Sequence, residues 1–249
     1  MRLQGKIAIV TGAGGGFGEG IARRFAAEGA RVAVLDLRGD AAERVAAGIG
    51  EAALPLTADV GSGADVEAAV ARTVERFGVP HIVVNNAGIT HRNQPLMDVS
   101  EEWFDRVFRV NVKSIFHFVK ATAPLMRDNG GGVILNVGST AGIRPRPGLT
   151  WYNASKGAVN LMSKSLAVEL APWKVRVNAL CPVMGETGML EDFMGVPDTP
   201  ENRARFIGTI PLGRMSRPAD VANAALYLAS DEAEFITGVE FPIDGGRTV

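Results

Sequence analysis

The sequence predicts an α/β fold, in which helices cover both faces of a doubly wound parallel sheet of about seven strands. Short segments rich in Val, Ile, Leu and Ala alternate with longer segments of helical periodicity. Most of the short segments are apolar throughout, which is typical of strands buried on both faces of a parallel sheet. The connections between them are short, and repeated strand–helix–strand units of this kind form right-handed crossovers.

The predicted strands are short runs with few polar residues; in chain order they are Lys6–Val10, Arg31–Asp36, Ala53–Ala58, His81–Asn85, Gly132–Val137, Arg176–Leu180 and Gly238–Ile243. The predicted helices have the spacing of a helix with one apolar face; they are Gly16–Glu28, Ala41–Ile49, Ala64–Phe77, Glu101–Met126, Tyr152–Leu170 and Ala219–Ala229. No linker or block of like charge interrupts this alternation, so residues 1–249 are predicted to be a single domain.

One connection, residues 183–217, is much longer than the others and is rich in Gly and Pro. A loop of this length in a compact domain is usually functional and often covers a ligand. We therefore expect a substrate-loop insertion here, with a short helix at Pro200–Ile207.

The composition limits the classes of function. With 26 Lys and Arg against 27 Asp and Glu, the net charge is −1, which argues against a nucleic-acid binder or a protein that binds membranes through basic patches. The one cysteine, Cys181, excludes an internal disulfide and favours a reducing, cytoplasmic setting. No apolar run is long enough for a signal peptide or a membrane span, and no metal site is expected.

A glycine-rich segment, Thr11–Gly18, follows the first predicted strand. Sheets of this type bind ligands at the carboxyl ends of their strands, and glycines there let backbone amides approach a phosphate at a helix N-terminus. The segment has the spacing TGxxxGxG and not GxGxxG. The alternative is an ordinary strand-to-helix turn. The residues expected to contact a dinucleotide are Gly12, Gly15, Gly16, Phe17 and Gly18.

An aspartate, Asp36, ends the second predicted strand. Its carboxylate can accept hydrogen bonds from both ribose hydroxyls and repels a 2′-phosphate, which favours NAD over NADP. The adjacent Leu37 is expected to contact the cofactor, whereas Arg38 could serve NADP. Asp36 could instead cap a helix. After the third strand, Asp59 and Val60 are expected to hold the adenine, with helix capping as the alternative for Asp59.

The fourth predicted strand is followed by Asn85–Gly88. Small and amide residues at this place allow the backbone to pass beneath a cofactor and tie neighbouring strands together. We expect Asn86 and Gly88 to lie against the cofactor, although the segment could also be a purely structural turn.

A serine, Ser139, follows the fifth strand, and Tyr152 and Lys156 come after it on one face of a predicted helix. A phenol is a poor base at neutral pH because its pKa is about 10. A nearby ammonium group stabilises the phenolate and so lowers that pKa. Ser139 could hydrogen-bond a substrate oxygen. The pattern predicts proton transfer by Tyr152, with Lys156 also binding the ribose.

These motifs together resemble the short-chain dehydrogenase/reductase superfamily; the matching segments are Thr11–Gly18, Asn85–Gly88, Asn111, Ser139, Tyr152-x-x-x-Lys156 and Asp244–Gly246. The resemblance covers the whole chain. It implies a Rossmann-type fold, a nicotinamide cofactor and hydride transfer at a carbinol or carbonyl carbon. It also implies that Asn111 joins the catalytic residues and holds a water that relays protons from Lys156. Members are usually tetramers, so a homo-oligomer, tetramer or dimer, is expected.

The segment after the sixth strand departs from the family pattern. Members commonly have Pro-Gly there, but this chain has Pro182 followed by Val183. We expect Pro182, Val183 and Thr187 to contact the cofactor, with a backbone approach that differs at Val183.

Several loop residues bear on the substrate. Arg92, Arg144 and Arg146 follow strands four and five, where arginines suit a carboxylate or sulfonate, although they could be solvated. Glu186 could bind substrate hydroxyls or brace its loop. Segments 90–93, 148–152, 185–187 and 192–195 also resemble a member of the family that would act on an aryl aldehyde carrying a sulfonate.

The function predicted from the sequence is that of an NAD(H)-dependent oxidoreductase. Its expected substrate is a small, anionic alcohol or carbonyl compound, either an aryl aldehyde sulfonate or a sugar acid. One alternative is a 3-oxoacyl-thioester (acyl-carrier-protein) reductase, which should prefer NADPH and a basic docking face. An alternative of another class is a catalytically idle nucleotide-binding sensor.

Overall fold

The computed structural model describes residues 1–249 and contains one seven-stranded sheet in the order β3-β2-β1-β4-β5-β6-β7. Every neighbouring pair of strands is parallel. The strands are β1 (Ile7–Thr11), β2 (Arg31–Asp36), β3 (Ala53–Thr57), β4 (Ile82–Asn85), β5 (Gly132–Val137), β6 (Val175–Pro182) and β7 (Glu240–Ile243). The predicted fold class and the number of strands are confirmed.

Nine α-helices connect the strands or follow them in the chain: α1 (Gly16–Ala27), α2 (Gly39–Ala47), α3 (Gly63–Phe77), α4 (Glu101–Phe108), α5 (Ser114–Asp128), α6 (Thr150–Leu170), α7 (Leu190–Met194), α8 (Pro200–Ile207) and α9 (Pro218–Ala229). Polar side chains fix several of their starts. The side chains of Ser62, Ser100 and Thr199 each accept a hydrogen bond from a backbone N–H in the first turn of α3, α4 and α8, respectively.

The two faces of the sheet form separate cores because successive strand residues point in opposite directions. Ala8 and Val10 of β1 pack with α1, α2 and α9. Ile9 of the same strand packs on the other face, with α3, α5 and α6. This double coverage explains why the strand segments are apolar throughout rather than alternating.

The largest difference from the prediction concerns the helix expected at Glu101–Met126. The structure has α4, a π-helical turn at Arg109–Lys113 and then α5. A π-turn adds a residue to the helix without removing the apolar face, so periodicity did not reveal it. Most other predicted ends differ by one or two residues.

The long connection contains the predicted helix α8 at Pro200–Ile207 and also α7, which was not predicted. Helix α7 has only five residues, too few to show a helical period. The helices throughout the chain lack the combination of length and apolar character that a membrane-spanning segment requires.

Candidate active site

A cavity of about 560 Å³ lies at the carboxyl ends of the strands, which is where ligands bind in doubly wound sheets. It brings together most of the residues singled out in the sequence. Of the expected cofactor residues, those that line it are Gly12, Gly15, Gly16, Phe17, Asp36, Leu37, Asp59, Val60, Asn86, Gly88, Tyr152, Lys156, Pro182, Val183 and Thr187.

The loop between β1 and α1 leaves room for a phosphate group. Helix α1 begins after Gly15, with no side chain capping its first amides, so these N–H groups remain available for an anion. Gly12 has φ +61°, and a Cβ there would lie 2.9 Å from the Ala87 Cα. A Cβ at Gly18 would overlap the carbonyl oxygen of Gly12. The absence of a side chain at Gly18 therefore lets the first turn of α1 pack closely against the Gly12 carbonyl group. Gly18 does not line the cavity, contrary to the direct cofactor contact expected for it.

Asp36 is almost fully buried at the end of β2. Its carboxylate accepts hydrogen bonds from the backbone N–H of Gly14 at 2.9 Å and of Arg38 at 3.0 Å. It does not cap α2, which begins after Arg38. These bonds fix the carboxylate in the wall of the cavity, where a ribose can reach it.

Asp59 lies at the edge of the cavity and pairs with Arg109 at 3.0 Å. It also accepts a hydrogen bond from the N–H of Gly61 at 2.8 Å. Helix α3 is capped by Ser62 and not by Asp59, so the capping alternative does not apply. Val60 lies beside it in the cavity wall.

Asn86 ties the turn after β4 to the turn after β1. Its Nδ2 donates to the carbonyl oxygens of Thr11 at 2.8 Å and Gly12 at 3.2 Å. The Thr11 hydroxyl oxygen in turn accepts from the N–H groups of Asn86 and Ala87. A Cβ at Gly88 would lie 3.4 Å from the Lys156 Nζ, so glycine keeps the space above that ammonium open.

Ser139, Tyr152 and Lys156 all line the cavity and are all buried. Helix α6 presents the tyrosine and the lysine one turn apart, with Nζ 5.8 Å from the phenol ring centroid. The Lys156 Nζ donates to the carbonyl oxygen of Val137 at 2.8 Å. Phe193 packs edge-on against the Tyr152 ring, with centroids 5.0 Å apart.

The pKa values of Tyr152 and Lys156 differ from the expectation that the ammonium lowers the pKa of the phenol. Burial raises the pKa of Tyr152 to about 12, and the Ser139 hydroxyl opposes part of that rise. Burial lowers the pKa of Lys156 to about 8. Desolvation disfavours the charged form of each group, and the ammonium of Lys156 is not among the causes that shift the pKa of Tyr152.

Asn111 lies in the π-turn and is buried. Its Nδ2 donates to the carbonyl oxygen of Ile89 at 2.9 Å and to the Ser155 Oγ at 3.0 Å, and its Oδ1 accepts from the Ile89 N–H at 2.8 Å. Both amide hydrogens are thus used within the protein, and the residue does not line the cavity. The water relay expected for Asn111 stays a prediction.

The expected substrate residues divide into two groups. Arg144 and Arg146 line the cavity. Arg92 is exposed and donates instead to the Gly195 carbonyl oxygen at 3.3 Å, and Glu186 lies in an outer groove, 3.8 Å from Arg217. The expectation that Arg92 and Glu186 bind substrate is therefore corrected: both side chains are directed to loop partners outside the cavity.

Many residues of the cavity lining were not singled out in the sequence, among them Phe193, Phe206 and Arg247. Phe193 and Phe206 come from α7 and α8 in the expected substrate loop, but no pattern indicated which side chains of that loop face the cavity. Arg247 could have been found, because it follows β7 and the carboxyl end of every strand in a parallel sheet faces the same edge.

The known proteins that are similar to this chain are named as dehydrogenases or reductases. The family model adh_short_C2, described as enoyl-(acyl carrier protein) reductase, matches residues 12–248. The 4-formylbenzenesulfonate dehydrogenase of Comamonas testosteroni is 50% identical over 100% of both chains. The 2-(R)-hydroxypropyl-CoM dehydrogenase of Xanthobacter autotrophicus is 41% identical over 98% of both.

A solved structure is also very similar. It is the crystal structure of a 3-ketoacyl-(acyl-carrier-protein) reductase from Brucella melitensis, complexed with NADH. It superimposes with a TM-score of 0.94 at 48% identity, covering 99% of this chain and 100% of the other.

Proposed function

We infer the function of this chain from its family and its site: it belongs to the short-chain dehydrogenase/reductase superfamily and is an NAD-dependent oxidoreductase. We propose that it transfers hydride between NAD and a small, anionic alcohol or aldehyde. The single observation that carries the proposal is the convergence of Ser139, Tyr152 and Lys156 with the glycine-rich loop in one cavity.

The residues present fit a dinucleotide. The uncapped start of α1 and the space that Gly88 leaves above Lys156 suit a phosphate and a nicotinamide riboside. The bound nicotinamide supplies the hydride acceptor or donor. The buried carboxylate of Asp36 supports NAD over NADP, and the similar Brucella structure is described as an NADH complex.

In oxidation, we propose that the Tyr152 phenolate accepts the proton of the substrate hydroxyl while Ser139 holds the same oxygen by a hydrogen bond. In reduction, the phenol returns the proton. Lys156, fixed by the Val137 carbonyl oxygen at 2.8 Å, supports the phenolate electrostatically and is within reach of a ribose. Asn111 acts as a positioning residue that holds Ile89 beside Gly88.

Two features support an anionic substrate. Arg144 and Arg146 line the same cavity as Tyr152, and the 50% identical relative is named for a sulfonated aldehyde. The second candidate is a 3-oxoacyl-thioester (acyl-carrier-protein) reductase, favoured by the name of the Brucella protein. The near-neutral charge of this chain offers no general attraction for an acidic carrier protein.

The test is a panel of substrates with both cofactors, read by the absorbance of NADH. Sulfonated and carboxylated aryl alcohols and aldehydes and a set of sugar acids represent the first candidate, and an acetoacetyl thioester represents the second. Efficient turnover of the thioester alone would replace the first candidate with the second. No turnover of any compound would favour the nucleotide sensor.

We further propose that residues 1–249 act as one domain, with residues 183–217 as the substrate loop, in a cytoplasmic dimer or tetramer. The single cysteine supports a reducing compartment, and several large apolar side chains on α5 and α6 are exposed, among them Phe116 and Leu161. Size-exclusion chromatography with light scattering tests the assembly.

The cofactor preference gives a specific prediction. Asp36→Asn removes the charge and keeps the shape, so we expect the ratio of kcat/KM for NADP to that for NAD to rise about tenfold, in line with the loss of one charge-assisted hydrogen bond. The matched control is Asp40→Asn, an exposed aspartate in the first turn of α2. An unchanged ratio in Asp36→Asn would show that another residue selects the cofactor.

A further inference from the structure

Of the six arginines that line the cavity holding Tyr152, three follow β5 or β7 in the chain: Arg144, Arg146 and Arg247. None of them forms an ion pair with a carboxylate of the chain. Surface arginines elsewhere in this protein commonly have such a partner, as Arg203 does with Asp198. These three guanidinium groups therefore carry positive charge that no ion pair within the protein neutralises.

Arg146 is held in the loop before α6. Its carbonyl oxygen accepts a hydrogen bond from the Asn153 Nδ2 at 2.8 Å, and its guanidinium lies over the Phe206 ring, 4.5 Å from the centroid. This stacking orients the group without using its N–H donors. The side chain forms no hydrogen bond within the protein, so its planar donor edge is free for a ligand.

Arg247 is held by the turn that follows β7. The Asp244 carboxylate accepts hydrogen bonds from the Gly246 N–H at 3.0 Å and the Thr248 N–H at 2.9 Å. Those bonds shape the turn. The Arg144 Nη1 donates to the carbonyl oxygen of Arg247 at 2.8 Å. The Arg247 Nη1 itself is buried and has no hydrogen-bond partner.

A buried donor without a partner is costly, and so is the approach of like charges. Burial lowers the pKa of Arg146, and the charge of Arg247 lowers it further. Burial lowers the pKa of Arg247, the charge of Arg144 lowers it further, and the charge of Asp244 opposes part of this lowering. A ligand with negatively charged oxygens would satisfy the donors and relieve the repulsion.

We propose that Arg146 and Arg247 form an anion-binding subsite that holds the sulfonate or carboxylate of the substrate, with Arg144 fixing the Arg247 turn. The inference rests on the proposed function and extends it, because it assigns Arg247, which no pattern singled out. Phe193, against Tyr152, and Phe206, under Arg146, supply aromatic walls between the reacting end and the charged end. An aryl group with a terminal anion suits this arrangement.

The experiment measures binding and does not depend on turnover. The melting temperature of the protein saturated with NAD is recorded with benzenesulfonate, with benzoate and with neutral benzyl alcohol, and the dissociation constants are then determined by calorimetry. The variants are Arg247→Gln and Arg146→Gln. The control is Arg205→Gln, an exposed α8 arginine beside Phe206 that does not line the cavity.

We expect benzenesulfonate or benzoate, or both, to bind the native protein and the control, and to bind each cavity variant at least about tenfold more weakly, since a charge-assisted hydrogen bond is lost. Whichever of benzenesulfonate and benzoate binds more tightly identifies the anionic group that the subsite prefers. Benzyl alcohol should not distinguish the proteins. Equal anion binding by both cavity variants and the control would overturn the proposal.

Two further measurements distinguish a substrate subsite from a site for a cofactor phosphate, and the subsite from the proposed hydride transfer. Weaker NAD binding by Arg247→Gln with unchanged anion binding would assign the guanidinium to a cofactor phosphate and would also overturn the proposal. Anion binding that persists in Tyr152→Phe and disappears in Arg247→Gln supports the subsite even if no substrate in the panel is turned over. The subsite and the proposed hydride transfer can therefore fail independently.

Discussion

Tyr152→Phe should lower kcat by about 10²–10⁴, the usual contribution of a positioned general acid or base. The substitution removes only the phenolic oxygen, so the ring keeps its packing against Phe193. NAD should therefore bind nearly as well as before. Steady-state turnover of the best substrate in the panel, together with a fluorescence titration of NADH, measures both quantities.

The chain supplies a matched control for this prediction. Tyr227 in α9 is the second of only two tyrosines, and it does not line the cavity. Tyr227→Phe should leave kcat within about twofold, as expected for a change away from the site. Turnover retained in Tyr152→Phe would reject the assigned proton carrier, whereas loss of NADH binding as well would indicate a disturbed site.

Lys156→Met should reduce the rate of oxidation strongly and change its dependence on pH. Oxidation needs the phenolate, so its rate rises as pH approaches the pKa of Tyr152, which burial raises to about 12. Below a pH of about 8, the pKa of Lys156, the amine is charged and favours the phenolate. Without that charge less phenolate forms below a pH of about 8, so the loss of rate should be largest there and should shrink at higher pH, where the amine of the native protein is itself neutral.

The rate of oxidation is measured across the pH range at saturating NAD. Lys164→Met is the control, because Lys164 lies two turns further along α6 in a surface pair with Glu240. Its profile should match that of the native protein. An unchanged profile in Lys156→Met would mean that the ammonium has no electrostatic effect on the phenol, and that its role is confined to binding.

Much of the architecture could be predicted from the sequence because the signals were local. Apolar runs such as Arg31–Asp36 and Gly132–Val137 are buried on both faces and match β2 and β5 residue for residue. The convergence of Tyr152 and Lys156 followed from helical spacing. Burial of their charges could not be predicted, because it depends on elements distant in the chain that close over them.

The substrate end of the site was less predictable for a related reason. Arg92 and Arg146 are both loop arginines near the carboxyl edge of the sheet, and sequence gives no direction for a side chain on a loop. Hydrogen bonding to Gly195 directs one away from the cavity, whereas stacking on Phe206 directs the other into it. Both partners lie in the long connection, whose conformation no periodic pattern specifies.

The hydrogen bonds that join Asn86 to Thr11 and Gly12 have a consequence for folding. Strands β1 and β2 can pair as soon as the first crossover forms, but β4 inserts beside β1 only after the two intervening units have been laid down. Contacts between residues so far apart in sequence form slowly. We therefore expect the complete nucleotide site to form late, when the two halves of the sheet meet, even though most of the phosphate loop belongs to the earliest part of the chain.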